Sequence, residues 1–166
     1  LYAITNCLRK RLVYSIVKIG VPQGSVLGPI LFLIFVNDLS NNVHLGKCNM
    51  YADDTIVYTS GTNVDDLSNK LQLCVNDAAK WYNENKLVVN AKKSNTMLMC
   101  TKRTKTNNPD MELNIRLNDG NLDQLSSCKY LGLDIDDNLS WDDQITKICK
   151  ALGCKISGLK KARKLG

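Results

Sequence analysis

Cys48-Asn49-Met50-Tyr51-Ala52-Asp53-Asp54-Thr55-Ile56-Val57-Tyr58-Thr59-Ser60 is the stretch on which the fold turns. Its β-branched and aromatic residues lie on both sides of two acids, which predicts two short strands joined by a tight turn with the acids at its tip. Adjacent carboxylates are costly there, because Tyr51, Ala52, Ile56 and Val57 offer little to solvate two like charges. A divalent cation would resolve the conflict. Mg²⁺ is held by a few carboxylates together with substrate phosphates, so this pair points to phosphoryl chemistry. Taken alone, Asp-Asp in a turn is more often a solvated surface turn, and the surrounding sequence has to decide.

Upstream, Gly20, Pro22, Gly24, Gly28 and Pro29 punctuate the chain. Residues 29–36 then read as a helix buried on most sides, with Pro29 suited to its first turn. Downstream, Asn63 with Asp65 and Asp66 opens an amphipathic helix whose apolar face is Val64, Leu67, Leu71, Cys74, Ala78 and Trp81 or Tyr82. Residues 87–89 and 96–100 read as strands. Leu113, Ile115 and Leu117 alternate up to Asn118-Asp119-Gly120, which predicts a hairpin, and a further strand is expected over 130–135. Ser140 with Asp143 makes a capping-box-like start to a last helix, whose apolar face is Ile145, Ile148, Cys149, Leu152, Ile156 and Leu159 and which Gly153 and Gly158 weaken. No internal repeat is present. The order of elements predicts an α+β fold with helices packed on an antiparallel sheet.

A chain of 166 residues, 44% of them apolar, is long enough for one core and too short for several independent domains. Its 22 Lys and Arg against 16 Asp and Glu give a net charge of +6, which favours polyanionic partners. The charge is uneven: from Leu1 through Lys47 the only acid is Asp38, and after Asp143 there is none, while Lys147, Lys150, Lys155, Lys160, Lys161, Arg163 and Lys164 follow. The basic tail reads equally as a solvated charge run or as a phosphate-contacting surface. Seven cysteines (Cys7, Cys48, Cys74, Cys100, Cys128, Cys149 and Cys154) form no C-x-x-C pair, so reduced, mostly buried thiols and an intracellular location are expected. The longest apolar run, 27–36, is far below the roughly 20 residues that span a bilayer, and no signal peptide is visible. With no initiator methionine at Leu1, the chain is expected to be a piece of a longer polypeptide.

Four blocks set the context of the acidic turn: Gly20-Val21-Pro22-Gln23-Gly24-Ser25-Val26-Leu27-Gly28-Pro29 with the apolar run after it, then Tyr51-Ala52-Asp53-Asp54, then Asn90-Ala91-Lys92-Lys93-Ser94, then Tyr130-Leu131-Gly132. In this order they resemble reverse transcriptases of non-LTR retrotransposons, the jockey-like elements in particular. The first block is specific, whereas Tyr-Leu-Gly alone is weak. The resemblance implies a polymerase palm-like antiparallel sheet packed by helices: residues 1–140 as a partial palm domain lacking the upstream fingers and first catalytic strand, and 141–166 as a basic, thumb-like helical segment. It implies RNA-directed DNA polymerase activity, with Asp53 and Asp54 as the catalytic metal-binding pair, and Asp53 the more critical. Tyr51 and Ala52 would shape that turn beneath the primer end. Gln23 and Gly24 would lie beside the incoming nucleotide and template, and Lys93, with Lys92 as its neighbour, near the nucleotide's phosphates. Tyr130, Leu131 and Gly132 would border the primer strand, while Trp141 is read as packing. Two Mg²⁺ ions, with Mn²⁺ as the alternative, an RNA template, a DNA primer, dNTPs and a nuclear location complete what the family implies.

The chain also departs from the family. Another metal-binding aspartate is required on a strand before the Gly-Val-Pro-Gln-Gly block, and residues 1–19 contain no Asp or Glu. The leading stretch also looks shorter than the family's usual hairpin. One reading is therefore a fragment of an enzyme that copies RNA into DNA by two-metal phosphoryl transfer, its missing ligand lying upstream. The alternative is a decayed, catalytically inactive copy retaining nonspecific nucleic-acid binding through its basic ends. A soluble α+β binding module unrelated to polymerases would require the Val-Pro-Gln-Gly block and the acidic turn to coincide by accident.

Overall fold

The computed structural model describes residues 24–118 and 120–165; the expectations placed on Leu1 to Gln23, among them the role of Gln23, and on Asp119 lie outside them. In chain order the elements are α1 (Gly28–Val36), α2 (Leu39–Asn42), β1 (Lys47–Tyr51), β2 (Asp54–Tyr58), α3 (Val64–Glu84), a 3₁₀ turn (Ala91–Lys93), β3 (Asn95–Thr96), α4 (Lys102–Asn107), β4 (Arg116–Leu117), β5 (Gly120–Asn121), β6 (Asp123–Gln124), β7 (Ser127–Tyr130), β8 (Leu133–Asp136) and α5 (Asp142–Leu165). This is an α+β chain of helices and two-stranded sheets. It divides into two compact units: the described residues up to Asn90 together with 116–120, and residues 91–115 together with the chain after Gly120.

The first unit is organised by α3. Asn63 caps it, its side chain accepting the Asp66 N–H at 2.8 Å, and Asp65 and Asp66 in the first turn complement the helix dipole. Lys70 pairs with Asp66 at 2.9 Å; this bond first, then one from the Thr62 N–H, holds the Asp66 carboxyl below its ordinary pKa. The apolar stripe runs as the sequence predicts. Cys74, Ala78 and Trp81 are buried against Val36, Leu39 and Val43, and Phe32, Cys48, Met50, Val57, Tyr82 and Leu87 pack around them. Full burial of a side chain such as Leu39 stabilises the unit by about 1.5–3 kcal/mol. On the far side of the helix, the Gln72 amide donates to Arg116 O at 2.9 Å and accepts the Arg116 N–H at 2.7 Å, which fastens β4 to α3.

α1 departs from its expected environment. It forms with Pro29 in its first turn, and the Gly28 N–H donates to Ser25 Oγ at 3.0 Å, but only Val36 is buried, while Leu33 and Ile34 are 57% and 68% exposed. Its apolar residues encircle the helix. The core of the unit reaches one side of it, so an apolar run reports what a helix can bury rather than how much is there to bury it.

The second unit is built from shorter pieces. β3 and β6 pair in parallel, Asn95 opposite Asp123, where an antiparallel sheet is expected from sequence. Buried Leu113 and Ile115 lie outside any strand, and the Leu113 N–H is taken by Gln124 Oε1 at 2.7 Å. Residues 87–89 form no strand, and 96–100 contribute only Thr96 to one. The single strand expected over 130–135 is instead a hairpin: β7 and β8 pair antiparallel, Tyr130 opposite Leu133, around Leu131 and Gly132 at φ 47° and 86°. Two successive positive φ values make the tight turn whose twist matches paired strands, and Gly132 was its signal in the sequence. Cys74 is buried, but Cys149 and Cys154 are exposed on α5, contrary to mostly buried thiols. Among the described residues no helix is long and apolar enough to cross a membrane.

Gly46 enters β1 where backbones crowd: a Cβ there would lie 2.7 Å from Tyr58 O and 2.8 Å from Cys74 Sγ. Gly46→Ala is expected to destabilise the first unit by about 1–3 kcal/mol, measured by urea unfolding followed through Trp81 fluorescence; an unchanged midpoint would contradict this packing.

Candidate functional site

β1 and β2 pair antiparallel from Lys47 opposite Tyr58 to Tyr51 opposite Asp54, which leaves Ala52 and Asp53 as a two-residue connection. Side chains alternate along each strand, so Cys48, Met50, Thr55 and Val57 share one face. That face meets α3, where Cys48, Met50 and Val57 join the core and Thr55 Oγ1 hydrogen bonds the Tyr82 hydroxyl at 2.8 Å. Tyr51 and Asp54 belong to the other face. Tyr51, Ala52, Asp53 and Asp54 are all exposed. Within the first unit the fold therefore gathers four of the expected site residues at one hairpin tip.

Ala52 sits at φ 53°, in the left-handed region that a side chain makes costly by roughly 1–2 kcal/mol. The hairpin tolerates this because a two-residue loop needs a positive φ to match the twist of the strands, and the paired strands enforce it. Consequently the two acids are held consecutively, one in the turn and one at the first residue of β2. Among the described residues no group of three or more His, Cys, Asp or Glu side chains converges to hold a metal ion. The donor chemistry of the pair still suits a hard divalent cation, which takes one or two carboxylates and completes its shell with water and substrate phosphates.

Gly24, the first described residue, has φ 83° and open space around the position of a Cβ. Its glycine is demanded by backbone conformation, with no close packing neighbour. Lys93 ends the exposed 3₁₀ turn of the second unit, with Lys92 beside it. Tyr130, Leu131 and Gly132 form the β7–β8 turn, also in the second unit. Trp141 is 39% exposed, at φ 63°.

Two interactions escape a motif reading. Tyr82 counts in the sequence as one apolar position of α3, yet burial lifts its phenol above the ordinary pKa and its hydroxyl is tied to Thr55. The available signal is a tyrosine within a buried stripe, whose O–H requires a partner. Asp136 likewise organises the loop before α5: its carboxylate accepts the N–H groups of Ser140, Trp141 and Asn138, each at 3.0 Å, and the Ser140 hydroxyl at 3.1 Å. The bond from the Ser140 N–H leads in holding that carboxyl below its ordinary pKa. α5 begins at Asp142, and Ser140 serves it by accepting the Asp142 N–H at 3.4 Å in place of the expected Ser140–Asp143 box.

A family profile described as "Reverse transcriptase (RNA-dependent DNA polymerase)" matches residues 3–135. The chain is 29% identical over 145 residues to the RNA-directed DNA polymerase from mobile element jockey of Drosophila melanogaster, which covers 83% of this chain and 15% of that protein. It is 35% identical over 144 residues to the probable RNA-directed DNA polymerase from transposon BS of Drosophila melanogaster, covering 81% of this chain and 16% of that protein. A Pol polyprotein from the type-1 retrotransposable element R1 of Nasonia vitripennis is 23% identical over 143 residues, covering 81% of this chain and 42% of that protein. The chain thus spans about 15% of the length of the jockey polymerase it matches. No solved structure matches it.

The strained Ala52 yields a direct test. Ala52→Gly is expected to stabilise the β1–β2 hairpin by about 1 kcal/mol and Ala52→Val to weaken it by more, read as amide hydrogen-exchange protection along both strands; equal protection in all three proteins would contradict the turn.

Proposed function

This chain belongs to the reverse transcriptase (RNA-dependent DNA polymerase) family, and on that footing we propose that its β1–β2 hairpin presents Asp53 and Asp54 as metal ligands of a non-LTR retrotransposon polymerase. The observation that carries the reading is the hairpin itself: an exposed pair of consecutive carboxylates, fixed by a left-handed Ala52 at the end of a sheet anchored on a buried helix face. Residues 1–140 are then a partial palm and 141–166 a basic, thumb-like helix. The polypeptide would take an RNA template, a DNA primer and dNTPs, with Mg²⁺ as the cation and Mn²⁺ as its substitute.

When bound, the cations would lower the pKa of the primer 3′-hydroxyl and neutralise charge on the nucleotide phosphates. The residues of this chain hold and orient. Asp53 and Asp54 would supply carboxylate oxygens on the same short turn, Asp53 being the more critical. Tyr51 and Ala52 shape the surface beneath the primer end. Gln23 and Gly24 would flank nucleotide and template, where the absent side chain at Gly24 lets a sugar or base approach the backbone. Lys93 would add positive charge near the phosphates, and Tyr130, Leu131 and Gly132 would border the primer. Ahead of the hairpin Asp38 is the one acid in the sequence, so Asp53 and Asp54 are the carboxylates that this reading assigns to the metal site.

A second reading draws on α5, whose exposed positions after Asp143 include Lys147, Lys150, Lys155, Lys160, Lys161 and Arg163 and no acid. In it the chain is an inactive copy that binds nucleic acid through phosphates alone, and its affinity falls steeply with salt. Mg²⁺-dependent primer extension on an RNA template separates the two. Wild-type chain joined to its upstream coding sequence is expected to extend the primer, and Asp53→Asn to lower the rate by about a hundredfold or more. Salt-sensitive binding without extension by any form would favour the second reading.

A further inference from the structure

The apolar contacts that seat the hairpin are concentrated along its length, at Cys48, Met50 and Val57, whereas the tip from Tyr51 to Asp54 is exposed. Apolar burial is non-directional, so it fixes which face of the sheet is covered more firmly than how far the sheet slides along the helix. Met50, the register partner of Thr55, is an unbranched and adaptable side chain that would follow such a slide. A contact next to the tip is directional. Thr55, the residue after Asp54, hydrogen bonds through Oγ1 to the hydroxyl of Tyr82, 27 positions along the chain.

Tyr82 is itself held firmly. Its ring packs edge-on against Trp81, centroids 5.4 Å apart and planes at 84°, and its carbonyl accepts the Leu87 N–H at 2.8 Å. A phenylalanine would fill the same space, so the hydroxyl is the part of this residue that packing does not explain. Thr55 and Asp54 leave opposite faces of β2, which lets the hydroxyl brace the strand from beneath without entering the space around the carboxylates. Burial raises the phenol's pKa above its ordinary value, which favours the protonated hydroxyl that this bond uses.

We propose that Tyr82, through its hydrogen bond to Thr55, is a positioning residue that sets where the Asp53–Asp54 turn stands relative to the reacting groups; this rests on the polymerase reading above. Displacement of a catalytic group by even about 1 Å can cost up to a hundredfold in rate, so a brace next to the carboxylates acts on turnover before it acts on substrate binding.

The test is steady-state primer extension by the chain joined to its upstream coding sequence, with Asp53→Asn as the control, and thermal unfolding measured alongside. Tyr82→Phe is expected to lower kcat about tenfold with the KM for dNTP nearly unchanged. Thr55→Val should match it, the double variant Tyr82→Phe/Thr55→Val should be no slower than either, and Thr55→Ser, which keeps the hydroxyl, should restore most of the rate. A kcat equal to wild type in Tyr82→Phe, with or without a lowered melting temperature, overturns the proposal while Asp53→Asn still abolishes extension. Multiplied losses in the double variant overturn it as well, because the two groups would then act independently. If Asp53→Asn extends primers like wild type, or wild type extends none, the polymerase reading fails and this inference with it.

Discussion

Cys74, Ala78 and Trp81 form the stripe along α3 on which the first unit is assembled. Residues four and three apart on a helix share a face, so these side chains offer one continuous apolar strip. The end of α1, the start of α2 and Val43 cover it from one direction, and the inner face of β1 and β2 covers it as well. The fit is close: Cys74 is fully buried, and its burial lifts the thiol above its ordinary pKa. It also has a cost, since the buried indole N–H of Trp81 finds no hydrogen-bond partner among the described residues. The gain from burying the stripe has to exceed that cost, and the ring contacts of Trp81 with Phe35 and Tyr82 contribute to it.

The exposed chemistry of this unit follows from the buried face. Once Cys48, Met50, Thr55 and Val57 are committed to α3, the two-residue side-chain period of the strands commits Tyr51 and Asp54 to the opposite face. The short connection forces Ala52 into a conformation it does not favour, so the strain at the tip is sustained by the pairing beneath it. Two carboxylates that would repel each other in an apolar setting are tolerable here because both are exposed, and the same exposure leaves them open to a cation and to phosphates.

What the sequence makes legible is the part governed by local rules. The Asn63 cap and the 3.6-residue stripe define α3, and the β-branched runs around Asp53 and Asp54 define the hairpin, because each pattern has one structural solution at that length. Pairing partners are less legible. Nothing in the composition of Asn95–Thr96 tells that it lies parallel to Asp123–Gln124, and a run that reads as one strand over 130–135 becomes two when Leu131 and Gly132 take positive φ. Exposure is the least legible: most of the apolar α1 and the Ile145, Ile148, Leu152, Ile156 stripe of α5 are exposed, since what covers an apolar face is a property of its neighbours. At the site, the acidic turn is visible as a motif, whereas the Thr55–Tyr82 bond joins two residues that no spacing rule connects.

The central claim is that this hairpin holds Asp53 and Asp54 together as ligands for a divalent cation. Tb³⁺, a luminescent substitute for such ions, tests it on the chain itself, with excitation through nearby aromatic rings of which Tyr51 belongs to the same tip. Saturable, sensitised emission that Mg²⁺ competes away and that Asp53→Asn abolishes is the predicted result. Emission indifferent to Asp53 would contradict the account, leaving the acidic turn a solvated surface feature.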